Sequence, residues 1–175
     1  MMFELEIPIT GIYSAPQLCR HYLAPVLNRE NVLVMTEIDN GVLEKVAVRQ
    51  SFFHDGKLRL TRVGMIDVLD SEQVHHDVEE SLESSRRYLL REKLLSPQDK
   101  LDVVFVSSTK YLESLEGYSE EALSHFSFNH IKTQSIADYI DVPTDAENGF
   151  EDVIAACAPP LFSKPHYVSG KSGYF

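Results

Sequence analysis

The sequence predicts an α/β fold, and two observations carry that reading. Three β-rich stretches are joined by the tight-turn dipeptides Asn40-Gly41 and Asp55-Gly56, and a long amphipathic pattern downstream leads into a continuous apolar run. Asn-Gly and Asp-Gly accept positive φ at low cost, so the first three stretches read as an antiparallel meander with two-residue hairpins. The run Leu101-Asp102-Val103-Val104-Phe105-Val106 is bounded by polar residues, as expected of a strand buried on both faces.

Taken in order, residues 3–10 alternate apolar and polar and read as a short edge strand, because Pro8 cannot donate to a ladder. Ser14-Ala15-Pro16 looks like a helix N-cap with Pro in the first turn, and Leu18, Tyr22, Leu23 and Val26 suit a helix ending near Asn28. The meander strands are residues 31–37, 42–53 and 57–63. Asp70-Ser71-Glu72 then places acids at the positive end of a helix running to about residue 95 and closed by Pro97. Its apolar face is Val74, Val78, Leu82, Ser85 and Leu89. Residues 111–115 and 120–125 read as helical turns, 126–131 as a weaker strand, and 135–140 and 147–157 as short helices. The expected organisation is a leading strand and helix (1–30), an α/β domain (31–158) and an irregular tail (159–175). A meander followed by helix-crossed parallel strands is the ribonuclease-H-like plan, which also builds each half of actin-like ATPases. The right-handed crossover rule leaves few other topologies for that order.

Composition excludes several classes of function. The chain has 175 residues, 43% hydrophobic and 25% charged, with 16 Lys and Arg against 27 Asp and Glu for a net charge of −11. So acidic a surface repels phosphate backbones, and no nucleic-acid partner is expected. No apolar run reaches the roughly 18–20 residues that span a bilayer, so this segment is not expected to insert into a membrane. The start carries Glu4 and Glu6 and no basic or apolar leader, so no signal peptide is expected. Cys19 and Cys157 set up neither a metal site nor a disulfide framework and fit a reducing, cytoplasmic compartment.

The ribonuclease-H-like plan invites a test for metal-dependent nuclease chemistry, which needs converging carboxylates. Glu37 or Asp39 and Glu79 or Glu80 would serve, but Asp102 stands at the wrong end of its strand. An actin-like domain instead cradles phosphate at the turn between its first two strands, here Asp39-Asn40-Gly41. The next residues, Val42-Leu43-Glu44-Lys45, lack the hydroxyl such a cradle uses, and turn chemistry alone explains the three residues. Gly170-Lys171-Ser172 imitates the end of a P-loop, but Pro165 replaces its first glycine and only three residues follow. His76 and Glu80, one helical turn apart, supply two ligands and no more, which makes no zinc site. No Gly-x-Ser-x-Gly elbow or Cys–His motif supports nucleophilic catalysis. No catalytic residue, metal or cofactor is therefore expected; ATP with magnesium enters only if the Asp39 turn binds nucleotide.

Arg49, Lys57, Arg59 and Arg62 cluster on the meander of an otherwise acidic chain, a patch suited to an acidic partner or to guarding an edge hairpin. Leu58, Leu60 and Arg62 share a parity, so they are expected on one face, with Arg62 at the end of the sheet reaching water and Arg59 outward. Arg49-Gln50-Ser51-Phe52-Phe53, Asp55-Gly56, Leu58-Arg59 and Arg62, with Gly11-Ile12-Tyr13-Ser14, Pro16 and Leu18, resemble a poorly characterised group of proteobacterial proteins. Those carry an actin-like cytoplasmic region related to assembly proteins of type IV pili and type II secretion, often ahead of membrane-spanning segments. The resemblance covers most of residues 11–95 and is looser to about Tyr167. It implies an actin-like interaction platform with protein partners in a membrane-associated assembly. The chain is too short for two actin-like halves and looks like the second half of a larger protein, whereas a complete ATP site lies between two halves. The resulting expectation is a non-catalytic interaction or scaffold domain of a bacterial envelope-assembly protein.

Overall fold

The computed structural model describes residues 14–38, 45–67, 71–107, 124–139, 141, 150 and 153. Five strands form one mixed sheet: β1 (Asn31–Ile38), β2 (Lys45–His54), β3 (Lys57–Asp67), β4 (Leu101–Ser107) and β5 (Phe126–Lys132), in the order β3-β2-β1-β4-β5. β2 runs antiparallel to β1, from Asn31↔His54 to Ile38↔Ala47, and antiparallel to β3. β4 lies parallel to β1, with Val32↔Asp102 and Thr36↔Val106, and β5 lies parallel to β4. The tight turn and the buried apolar run dictate these pairings. Asp55 and Gly56 both take positive φ (50° and 67°), which two-residue hairpins require and Asp-Gly tolerates. The predicted strand at 3–10, the Asn40-Gly41 turn, the helical turn at 111–115 and the tail fall outside the described residues. So does most of 120–125 and of 147–157, although Phe150 and Val153 are helical and buried.

Helices cover both faces of this sheet. Against one face lies α3 (Ser71–Arg91), whose buried stripe Val74, Val78, Leu82 and Leu89 packs on Leu33, Met35, Phe52, Val103 and Phe105. Fully burying such a side chain is worth about 1.5–3 kcal/mol, so this stripe fixes the helix on the sheet. Against the other face lie α1 (Ala15–Tyr22), α2 (Ala24–Leu27) and α4 (Thr133–Tyr139). Their Leu18, Leu23, Leu27 and Ile136 cluster with Val32, Val34, Phe53, Val104 and Val106.

Among the described residues, four boundaries differ from the sequence expectation by two residues or more. The helix expected up to Asn28 breaks at Leu23, because Pro25 has no N–H to donate and interrupts the ladder. It restarts with Pro25 in the first turn, and the Leu23 carbonyl accepts from the N–H groups of Val26 and Leu27. The start forms as expected, with the Ser14 N–H donating to Gln17 Oε1 (3.1 Å) in a capping-box contact. α3 stops at Arg91, four residues early, in a Schellman closure: Leu94 N–H donates to the Leu89 carbonyl, Lys93 N–H to that of Leu90, and Lys93 has φ 57°. β3 runs on to Asp67 because its alternation continues to the buried Ile66. α4 begins two residues early, at Thr133.

The shared face of Leu58 and Leu60 is a further correction. The ladder pairs Phe53 with Leu58 and Phe52 with Leu60, so Arg59 is the extra residue of a β-bulge. Leu58 therefore packs with the α1–α2 cluster, and Leu60 packs with the α3 cluster. The bulge moves the two leucines to opposite faces.

Candidate functional site

The three arginines of the predicted patch go to three different places. Arg62 stands on the α3 face of β3, opposite the buried Gln50. Its Nε donates to Gln50 Oε1 (2.9 Å) and its Nη2 to the Ser81 carbonyl (3.0 Å). Gln50 Nε2 donates to Ser81 Oγ (2.5 Å), and the buried Ser85 hydroxyl donates to Gln50 Oε1. Burial lowers the Arg62 pKa from its ordinary value. The expectation that this head group reaches water is thus overturned: hydrogen bonds clamp it between β2, β3 and α3. Arg49 pairs with Val63 in the ladder, one position from Gln50, and so lies on the opposite face, half-buried. Arg59 alone is exposed, thrown outward by the bulge at the hairpin end.

Around Arg59 the fold assembles a recess of about 350 Å³ lined by Glu30, His54, Arg59, Lys93, Leu94, Leu95, Ser96 and Asp99. The β2–β3 hairpin supplies Arg59 and His54, and the closure of α3 supplies Lys93 and the segment after it. The left-handed conformation of Lys93 turns the chain so that Leu94 packs back on the core, leaving Lys93 exposed at the rim. Two acids share the recess, but Asp99 accepts the Ser96 N–H (2.8 Å), which ties that carboxylate into its own turn. His54 Nδ1 and Asn31 Oδ1 are hydrogen-bonded at 2.9 Å, which holds the ring at the wall. Among the described residues neither Arg59 nor Lys93 forms an ion pair. The lining carries as many acids as cations, and what it offers a carboxylate-bearing peptide segment is the exposed pair Arg59 and Lys93 beside Leu94 and Leu95. Sequence reasoning found Arg59 but missed Lys93, because nothing in Arg91-Glu92-Lys93 announces a left-handed closure where glycine is the usual residue.

Other predicted sites fare differently. Asp39, Asn40 and Gly41 lie outside the described residues; β1 ends at Ile38, on the carboxyl edge it shares with β4. At that edge the buried Thr36 hydroxyl has no hydrogen-bond partner among the described residues. Asp102 pairs with Val32, at the opposite end of the sheet from Glu37, where it accepts from Arg29 Nη1 (3.2 Å) and the Ser127 hydroxyl. The nuclease carboxylates Asp102 and Glu37 therefore do not converge. Among the described residues no group of three His, Cys, Asp or Glu could hold a metal ion, and no helix is long and apolar enough to cross a membrane. No family model, no curated protein and no solved structure matches the chain.

Proposed function

We propose that this chain is a non-catalytic interaction domain of ribonuclease-H-like, actin-like plan, and that it holds an acidic segment of a protein partner at Arg59 and Lys93. The strand order β3-β2-β1-β4-β5, with the meander first and parallel strands after, supports that plan. The blocks around Arg49-Gln50-Ser51-Phe52-Phe53 support placing it in a bacterial envelope-assembly system of the type IV pilus or secretion kind, in the cytoplasm and tethered to the membrane through the rest of a larger protein. The observation that carries the binding role is the convergence of the exposed, unpaired Arg59 and Lys93 beside Leu94 and Leu95, in a recess shared with Glu30 and Asp99, on a chain of net charge −11. Two exposed cations held together by the fold give an acidic segment a local point of attachment on an otherwise acidic surface.

A fluorescein-labelled octaglutamate peptide, titrated with the full chain and read by anisotropy, tests the role. Binding is expected to weaken steeply with added salt and to fall at least about tenfold in Arg59→Glu, a loss of roughly 1.4 kcal/mol. The melting temperature of that variant should stay unchanged. Equal binding by Arg59→Glu overturns the assignment.

A second reading has one observation in its favour. Sheet order reverses between β1 and β4, and Asp39-Asn40-Gly41 follows β1 at the carboxyl edge, where open α/β sheets bind ligands. Nucleotide with magnesium at about 100 times its dissociation constant would add roughly 2.7 kcal/mol to stability. A melting shift of that size with Mg-ATP, abolished in Asp39→Ala, would favour a nucleotide-binding half of an actin-like ATPase. We expect no shift.

A further inference from the structure

Of the side chains lining the recess, Arg59 and Lys93 carry positive charge and Glu30 and Asp99 negative, so those four balance and the imidazole of His54 decides the sign. Imidazole is the side chain that changes charge around neutral pH. The fold holds this ring the same way round in both of its charge states. Asn31 sits across the β1–β2 ladder from His54, and its Oδ1, which can only accept, takes the Nδ1 proton (2.9 Å). In the neutral ring Nε2 is then the lone-pair atom, 3.7 Å from Asp55 Oδ2. A proton arriving at Nε2 needs neither the Asn31 bond broken nor the ring turned. Glu30, Asp55 and Asp99 face the ring and favour the imidazolium. Lys57, its partner in the β2–β3 ladder, opposes it together with Arg59 and Lys93. The Asp55 side chain is 69% exposed, so water screens much of its hold on the new charge.

We propose that His54 is a proton-operated switch on the recess: its imidazolium adds a third cation beside Arg59 and Lys93, and the recess takes a carboxylate-bearing segment more tightly as pH falls. This deepens the acidic-segment reading and rests on it. With the ring neutral, the two cations that meet a carboxylate are offset by the two acids of the lining. With the ring protonated, the lining is net positive and its attraction for a carboxylate is no longer cancelled. The sign follows directly, since protonation and anion binding favour each other and each must promote the other to the same degree. One further unit charge about 6 Å from a bound carboxylate, in surroundings close to water, tightens binding about threefold.

The test is a calorimetric titration of the full chain with unlabelled, N-acetylated octaglutamate at about pH 6 and about pH 8, a range over which glutamate side chains stay ionised. The wild type should bind at least about threefold more tightly at the lower pH. His54→Gln keeps an amide N–H that can donate to Asn31, so it should retain its circular dichroism, and whatever its affinity it should lose the pH dependence. A second reading needs no variant. At about pH 7 wild-type binding should take up protons, so its heat should differ between buffers of low and high ionisation enthalpy, and that difference should vanish in His54→Gln. Equal binding at the two pH values, a pH dependence that survives in His54→Gln, or no proton uptake by the wild type overturns the switch and leaves the acidic-segment reading standing. No binding at either pH overturns both.

Discussion

Lys93 couples stability to binding. A left-handed lysine costs roughly 1 kcal/mol that glycine avoids, so Lys93→Gly should raise the melting temperature by about 2–4 °C. The same change removes a rim cation, so octaglutamate binding should weaken as the domain gains stability. A calorimetric scan and an anisotropy titration on one sample check both halves of that expectation. Arg62 makes the contrasting case, because its guanidinium faces inward. Gln50→Ala removes the acceptor of Arg62 Nε and of the Ser85 hydroxyl, and should cost about 1–3 kcal/mol in urea unfolding. Replacing both members, Gln50→Leu with Arg62→Met, should recover much of that loss, since no buried donor is then left without an acceptor. Parity in the sequence already set Arg59 apart from Arg62, but it could not show that α3 would clamp the Arg62 head group, nor that Arg59 is a bulge residue, since a bulge has no composition of its own.

At the level of elements, the bulge is also what makes deletion informative. Removing Arg59 leaves Leu58 opposite Phe53 and Leu60 opposite Phe52, each still on its present face. The deletion variant should therefore fold with a near wild-type melting temperature while losing octaglutamate binding, whereas a regular strand would send one leucine into water. β4 carries the opposite expectation. Val104 is fully buried in the parallel ladder beside β1, and Val104→Asp places an unpaired carboxylate there. That costs several kcal/mol, on the order of the whole stability of a domain, and circular dichroism should report an unfolded chain. The meander, α3 and β4 were legible because each has a strong local signature: a turn dipeptide, a helical period, an uninterrupted apolar run. The break at Leu23 was legible too, in Pro25, but the apolar spacing of Leu18, Tyr22, Leu23 and Val26 runs straight through it. The early end of α3 had no such marker, because the closing residue is a lysine.

Across the whole molecule, one sheet places its chemistry at two opposite ends. The hairpin end gathers Arg59, His54 and Lys93 from elements more than thirty residues apart in sequence, an assembly that no local pattern could announce. The carboxyl edge of β1 and β4 lies at the other end, with Asp39 following Ile38. Net charge argued against a nucleic-acid partner from the sequence alone, but the convergence of Arg59 and Lys93 against that background needed the fold. The account's central claim, that the hairpin end is where this domain meets an acidic partner, is tested most directly by amide chemical-shift mapping of the full chain with octaglutamate. The account predicts salt-sensitive shifts confined to His54, Arg59 and the Lys93–Asp99 region, absent in Arg59→Glu. Shifts centred instead on residues 36–41, or none anywhere, would contradict it.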